Sequence, residues 1–183
     1  MKKTLLLVSI VVLAACASSQ KLANNQTKPK ATKNADGNLV GYATKNDFQQ
    51  EPYGSEWFND YYEYYETDKS VVNKLKPLLE NITIKGFMGT WCDDSRRETP
   101  NFYKILDEAG FDYNKLDLVT VNREKTANGI EKGYDIERVP TFIFYKNGKE
   151  IGRFVEHTVD GASLEQDMLL ILSEKGYKHA YEK

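Results

Sequence analysis

Only two cysteines and two histidines occur in 183 residues. Cys16 and Cys92 are too few for a disulfide framework. His157 and His179 stand at no metal-ligand spacing with Cys92, which argues against a zinc or copper centre. Basic excess is missing too: Lys and Arg number 25 against 27 Asp and Glu, a net charge of −2. No basic cluster interleaved with aromatics occurs, so nucleic acid is not an expected partner. The one strongly apolar run near the N-terminus, Leu5 to Leu13, is too short to span a bilayer as a helix. No internal repeat or extended low-complexity array is present. What remains is a chain with 40% hydrophobic residues, enough for one domain with extensions.

The chain is organised around Phe87-Met88-Gly89-Thr90-Trp91-Cys92-Asp93-Asp94-Ser95. An apolar, β-prone run from Ile82 to Met88 leads into it. Phe102, Ile105, Leu106 and Ala109, at spacings of three and four, predict a helix from about Asp94 to Ala109 that stops at Gly110. A cysteine at such a strand-to-helix turn faces unpaired backbone N–H groups and the positive end of the helix dipole. That setting favours a reactive thiolate. Asp93, Asp94 and Ser95 suit a solvent-facing first helical turn. A lone cysteine is more often a small buried hydrophobe, and the tryptophan before it and the Val139-Pro140-Thr141 segment beyond are what weigh against that reading.

These residues resemble the thioredoxin family. Trp91-Cys92-x-x-Ser95 is similar to its Trp-Cys-x-x-Cys site with the second cysteine replaced. Pro100 falls where the family has a helix proline. Ile136-Glu137-Arg138-Val139-Pro140-Thr141 resembles the segment ending in the family's cis-proline, and Phe142 to Lys149 resembles the strand and turn that follow. Gly-Thr-Trp-Cys-x-Asp-Ser is also similar to a set of bacterial lipoprotein thioredoxin-like proteins. The resemblance implies a thioredoxin-like α/β fold, a central mixed β-sheet with helices on both faces. It implies Cys92 and Ser95 as catalytic residues and Trp91, Val139, Pro140 and Thr141 as the substrate-binding edge, with thiols or disulfides as partners, a monomeric state and no cofactor or metal. Two departures stand out. Ser95 replaces the thiol that resolves a mixed disulfide. Gly86 stands where the family commonly has a buried acid. A peroxiredoxin is disfavoured because Gly89 occupies the place of its threonine.

The flanks extend this reading. Lys2, Lys3 and the short apolar run form a signal peptide over residues 1–15. Leu13-Ala14-Ala15-Cys16 resembles the bacterial lipobox, which implies lipidation of Cys16 and attachment to a bilayer. No acidic export signal follows it, so a periplasmic face is expected. Residues 16–40 are polar and read as a flexible tether. Residues 41–80 read as an aromatic-rich helical extension: Trp57, Tyr61 and Tyr65 share one face with Phe58 and Tyr62, Ser55 caps, and Pro77 kinks or splits the next helix. Residues 81–176 form the thioredoxin-like domain. It contains a strand from Leu116 to Val121, a weak helix near Asn128 to Gly133, a hairpin turning at Asn147-Gly148, and a last helix capped by Ser163. Residues 177–183 read as a loose polar tail. Two functions fit: a monothiol thiol–disulfide oxidoreductase, and a catalytically silent module binding extended segments at the Pro140 edge.

Overall fold

The computed structural model describes residues 28–159 and 161–182. The signal peptide, Cys16 and the first part of the tether lie outside the described residues.

Six strands form one mixed sheet: β1 (Thr32–Lys33), β2 (Leu39–Ala43), β3 (Ile82–Met88), β4 (Leu116–Thr120), β5 (Thr141–Lys146) and β6 (Lys149–Val155), in the order β1-β2-β4-β3-β5-β6. β3 lies parallel to β4 and antiparallel to β5. With neighbours on both sides and cover on both faces, β3 is buried at every position but Thr83 rather than at alternate ones. The β5–β6 turn uses Asn147 and Gly148 at φ of 53° and 77°, the left-handed values that Asn-Gly accommodates.

The helices are α1 (Lys45–Gln49), α2 (Asn59–Tyr64), α3 (Lys69–Leu79), α4 (Asp93–Ala109) and α5 (Leu164–Leu172), with a turn of π-helix at Gly54–Phe58 leading into α2. Asp68 caps α3 by accepting the Ser70 and Val71 N–H groups. Gly110, left-handed at φ 71°, ends α4. Every α-helix among the described residues contributes to one core, which includes Phe48, Phe58, Leu75, Phe102, Tyr103, Phe142 and Met168. Phe102 and Phe142 stack at 4.0 Å between ring centres and join α4 to the sheet.

Among the described residues the opposite sheet face is covered not by a helix, as the family resemblance implied, but by the segment from Val121 to Pro140. Ala127, Ile130, Tyr134 and Ile136 pack there on Phe87, Val119, Val121, Val139 and Ile143. The helix expected near Asn128 to Gly133 is instead a series of turns. Asn122 Oδ1 accepts the Thr126 N–H at 2.8 Å, and Glu131 Oε2 accepts the Ala127 N–H at 2.8 Å. These side chains satisfy backbone groups that a helix would otherwise pair.

Four further expectations are corrected. The tether does not reach residue 40: Lys28 pairs with Asp117, and residues 32–43 supply β1 and β2. Tyr42 is therefore a strand residue, bonded across to β4. Ser55 does not cap; it lies inside the π-helix, and its hydroxyl donates back to Glu51 in the turn before it. Pro77 sits within an unbroken α3, two residues from its end. The tail is not loose: Tyr177 donates to Asp167 at 3.1 Å, and Tyr181 packs on Arg138 and His157.

Candidate functional site

The site begins where β3 leaves the sheet. Gly89 is required there, because a Cβ would fall under 3.0 Å from the Trp91 indole. Trp91 lies over that glycine with its Nε1–H donated to the Val121 carbonyl at 2.9 Å and the Arg123 guanidinium 5.3 Å above its ring. The Thr90 carbonyl accepts Arg96 Nε at 2.7 Å, and its hydroxyl oxygen accepts the Leu39 N–H at 3.2 Å. The turn is thus fastened to α4 on one side and to β2 on the other.

Cys92 is the N-cap residue of α4 and is half-buried. It accepts the Arg96 N–H at 2.9 Å, the bond that opens the helix. Its Sγ donates to the Val139 carbonyl at 3.3 Å. The Val139–Pro140 peptide is cis. Thr141 Oγ1 donates to the Arg138 carbonyl at 2.8 Å, and Glu156 N–H donates to the Pro140 carbonyl at 2.7 Å. These bonds hold the segment against Cys92. The Val139 N–H has no partner among the described residues, whereas its carbonyl is occupied by the thiol.

A cleft of about 420 Å³ opens over the sulfur, lined by Trp91, Cys92, Lys125, Glu137, Arg138, Val139 and Glu156. Three of the sequence-predicted residues therefore meet in one groove: Trp91, Cys92 and Val139. Pro140 and Thr141 lie buried behind its wall. Ser95 is fully buried, against the expectation of a solvent-facing turn. Its Oγ accepts the Gly89 N–H at 3.1 Å, and no Ser95–Cys92 hydrogen bond forms. Lys125, Arg138 and Glu156 escaped the sequence reading as groove residues. Arg138 adjoins Val139 and could have been found there, but Lys125 and Glu156 come from distant loops with no periodic signal.

The surrounding charges are largely paired. Arg97 donates to Asp94 at 2.7 Å and to Glu98 at 2.8 Å. Burial pushes the Glu98 carboxyl up, and Arg97 only partly offsets it. The Arg96–Asp93 pair is 4.0 Å long with Asp93 95% exposed, so it contributes little. Gly86 lies between Leu118 of β4 and Phe142 of β5, and neither neighbour leaves room for a side chain. The site has no buried carboxylate at that position to take the thiol proton.

A family model described as Thioredoxin matches residues 66–169. Chloroplastic thioredoxin Y of Oryza sativa subsp. japonica is 32% identical over 87 residues, 48% of this chain and 46% of its own length. Thioredoxin of Gallus gallus is 30% identical over 82 residues, 44% of this chain and 72% of that protein. The chain thus spans about half the length of the first relative and most of the second. Among solved structures, a Pseudomonas aeruginosa protein of unknown function aligns with a TM-score of 0.47 at 14% identity, over 65% of this chain and 81% of that one. Mitochondrial thioredoxin 3 of Saccharomyces cerevisiae aligns with a TM-score of 0.31 at 21% identity, over 45% and 74%.

Proposed function

This chain belongs to the thioredoxin family, and from that premise we propose that it acts in thiol–disulfide exchange through Cys92 alone, as a lipid-anchored protein facing the periplasm. The observation that carries the reading is the Cys92 sulfur, at the head of a seventeen-residue helix, open to a groove and 3.3 Å from the Val139 carbonyl.

The chemistry follows from that placement. The Cys92 S–H passes its proton to solvent, since Gly86 offers no base. The thiolate attacks one sulfur of a disulfide, the S–S bond breaks, and the other sulfur leaves as a thiolate. An extended segment pairs one carbonyl with the free Val139 N–H. Ser95 cannot perform the second attack; bonded to Gly89, it holds the turn. An external thiolate therefore attacks the mixed disulfide, takes the substrate sulfur into a new disulfide and releases the Cys92 thiolate. Lipidation of Cys16 rests on its lipobox resemblance and leaves Cys92 as the single free thiol.

The silent binding module is favoured by one feature, the unpaired Val139 N–H, which serves segment binding with or without chemistry. Trapping in cells separates the two. Alkylating intact cells and running non-reducing gels should give mixed-disulfide species with wild type and none with Cys92→Ala. Identical patterns for both would leave only the binding module.

A further inference from the structure

The C-terminal segment is not used by the chemistry above, yet it packs against two residues of the groove wall. Its last fastening is Tyr181. The Tyr181 hydroxyl donates to Glu156 and lies 3.2 Å from His157 Nε2. The Arg138 guanidinium lies over the Tyr181 ring, 3.9 Å from the ring centre. Arg138 in turn reaches Glu156 at 3.2 Å. Four residues from three separate stretches of the sequence thus close into one cluster. Arg138 and Glu156 are both groove walls, and both are bonded through their backbones to the Pro140 segment. A second cleft, of about 230 Å³, is lined by Arg138, Arg153, Val155, His179 and Tyr181, so the Tyr181–Arg138 contact lies at a surface and not in a packed core.

We propose that Tyr181 is a positioning residue for the substrate groove. It fixes the Arg138–Glu156 pair so that the wall beside Cys92 is set before an extended peptide disulfide arrives. The inference rests on the monothiol reading above. Its physical basis is entropic. A free arginine side chain loses rotamer freedom when a substrate immobilises it. Clamping it between a carboxylate and an aromatic face removes that cost from binding. A cation–π contact and a charge-assisted hydrogen bond are each of a strength to hold it. Small reagents that reach the sulfur without touching Arg138 gain nothing from the clamp. The substrate class the tail favours is therefore an extended peptide disulfide over a small one.

Three proteins decide it: wild type, Tyr181→Phe and Tyr181→Ala. Tyr181 is 40% exposed, so neither variant is expected to disturb folding, and thermal unfolding checks this. The rate of mixed-disulfide formation with a peptide disulfide should fall roughly three- to ten-fold in Tyr181→Ala and less in Tyr181→Phe, which keeps the ring contact. Alkylation of Cys92 by iodoacetamide should be equal in all three. Equal peptide rates, or peptide and iodoacetamide rates falling together, would overturn the proposal. A separate measurement does not depend on the exchange reaction. The Glu156 amide, bonded to the Pro140 carbonyl, should exchange with solvent faster in Tyr181→Ala than in wild type. Equal amide exchange would overturn the clamp. Absence of any peptide adduct in wild type would count against the monothiol reading and leave the clamp to be decided by amide exchange.

Discussion

Filling the empty place at Gly86 is the most informative perturbation of the fold. Gly86 is buried in β3, directly across from Leu118 on one neighbour strand and Phe142 on the other. A Cβ built on it falls under 3.0 Å from Leu118 Cδ1 and 3.2 Å from Phe142 Cδ1. Phe142 cannot move away, because it stacks on Phe102 at 4.0 Å and on Phe154 at 5.7 Å. Gly86→Ala should therefore cost about 1–3 kcal/mol, the usual range for overpacking a tight core. With a urea m-value of about 2 kcal/mol/M, the midpoint should drop by about 0.5–1.5 M with m unchanged. Leu118→Ala alone should cost about 2–5 kcal/mol by leaving a cavity. The double variant should cost clearly less than the sum, because the new methyl enters the space the leucine vacated. Gly86→Asp should be worse than Gly86→Ala, since it adds a carboxylate with no partner to the same gap. A Gly86→Ala protein as stable as wild type, strictly additive behaviour of the pair, or a stable Gly86→Asp would each refute the reasoning. The outcome bears on function, because it decides whether this sheet can hold the acid that its family commonly carries there.

Other perturbations test other links. Ser95→Ala should destabilise by about 1–3 kcal/mol, because it strands the buried Gly89 N–H, and chemical denaturation reads this directly. Burial pushes the Asp107 carboxyl up, but hydrogen bonds from Lys45, Tyr113 and Tyr62 outweigh that and hold it below the ordinary carboxylate value. The resulting stability is present above the unfolded-state value of about 3.9 and is lost as pH falls through the lower folded one. Between about pH 5 and about pH 2, the urea midpoint of wild type should thus fall more steeply than that of Asp107→Asn; parallel curves would remove this role. Cys16→Ser should move the protein from the membrane fraction to the soluble one, since it removes the two acyl chains that would anchor it stably. Unchanged partitioning would count against lipidation.

What the sequence revealed follows from the range of its signals. β3 and α4 were legible because a continuous apolar run and a three-and-four spacing are local and long. Asn147-Gly148 was legible because the turn needs their left-handed backbone. β2 was not: Leu39–Ala43 alternates over only five residues, interrupted by Gly41, and merges with the aromatics behind it. The cover from Val121 to Pro140 was misread because side-chain caps, not periodicity, organise it. In the site, Trp91, Cys92 and the Pro140 segment came from motif resemblance. Ser95 looked exposed because a polar residue in a first helical turn usually faces solvent, and only the fold brings the Gly89 N–H to it. Arg138, Glu156 and Tyr181 meet across 18 and 25 positions of sequence, a closure that no local pattern encodes.

The central claim is that Cys92 is a nucleophile with no internal resolving partner. Purified Cys16→Ser protein should be mixed with excess peptide disulfide, without reductant, and followed by intact mass. One adduct should form on Cys92, accumulate, persist, and be cleared when a monothiol is added. A Cys92 that never forms an adduct, or one whose adduct resolves with no added thiol, would contradict it.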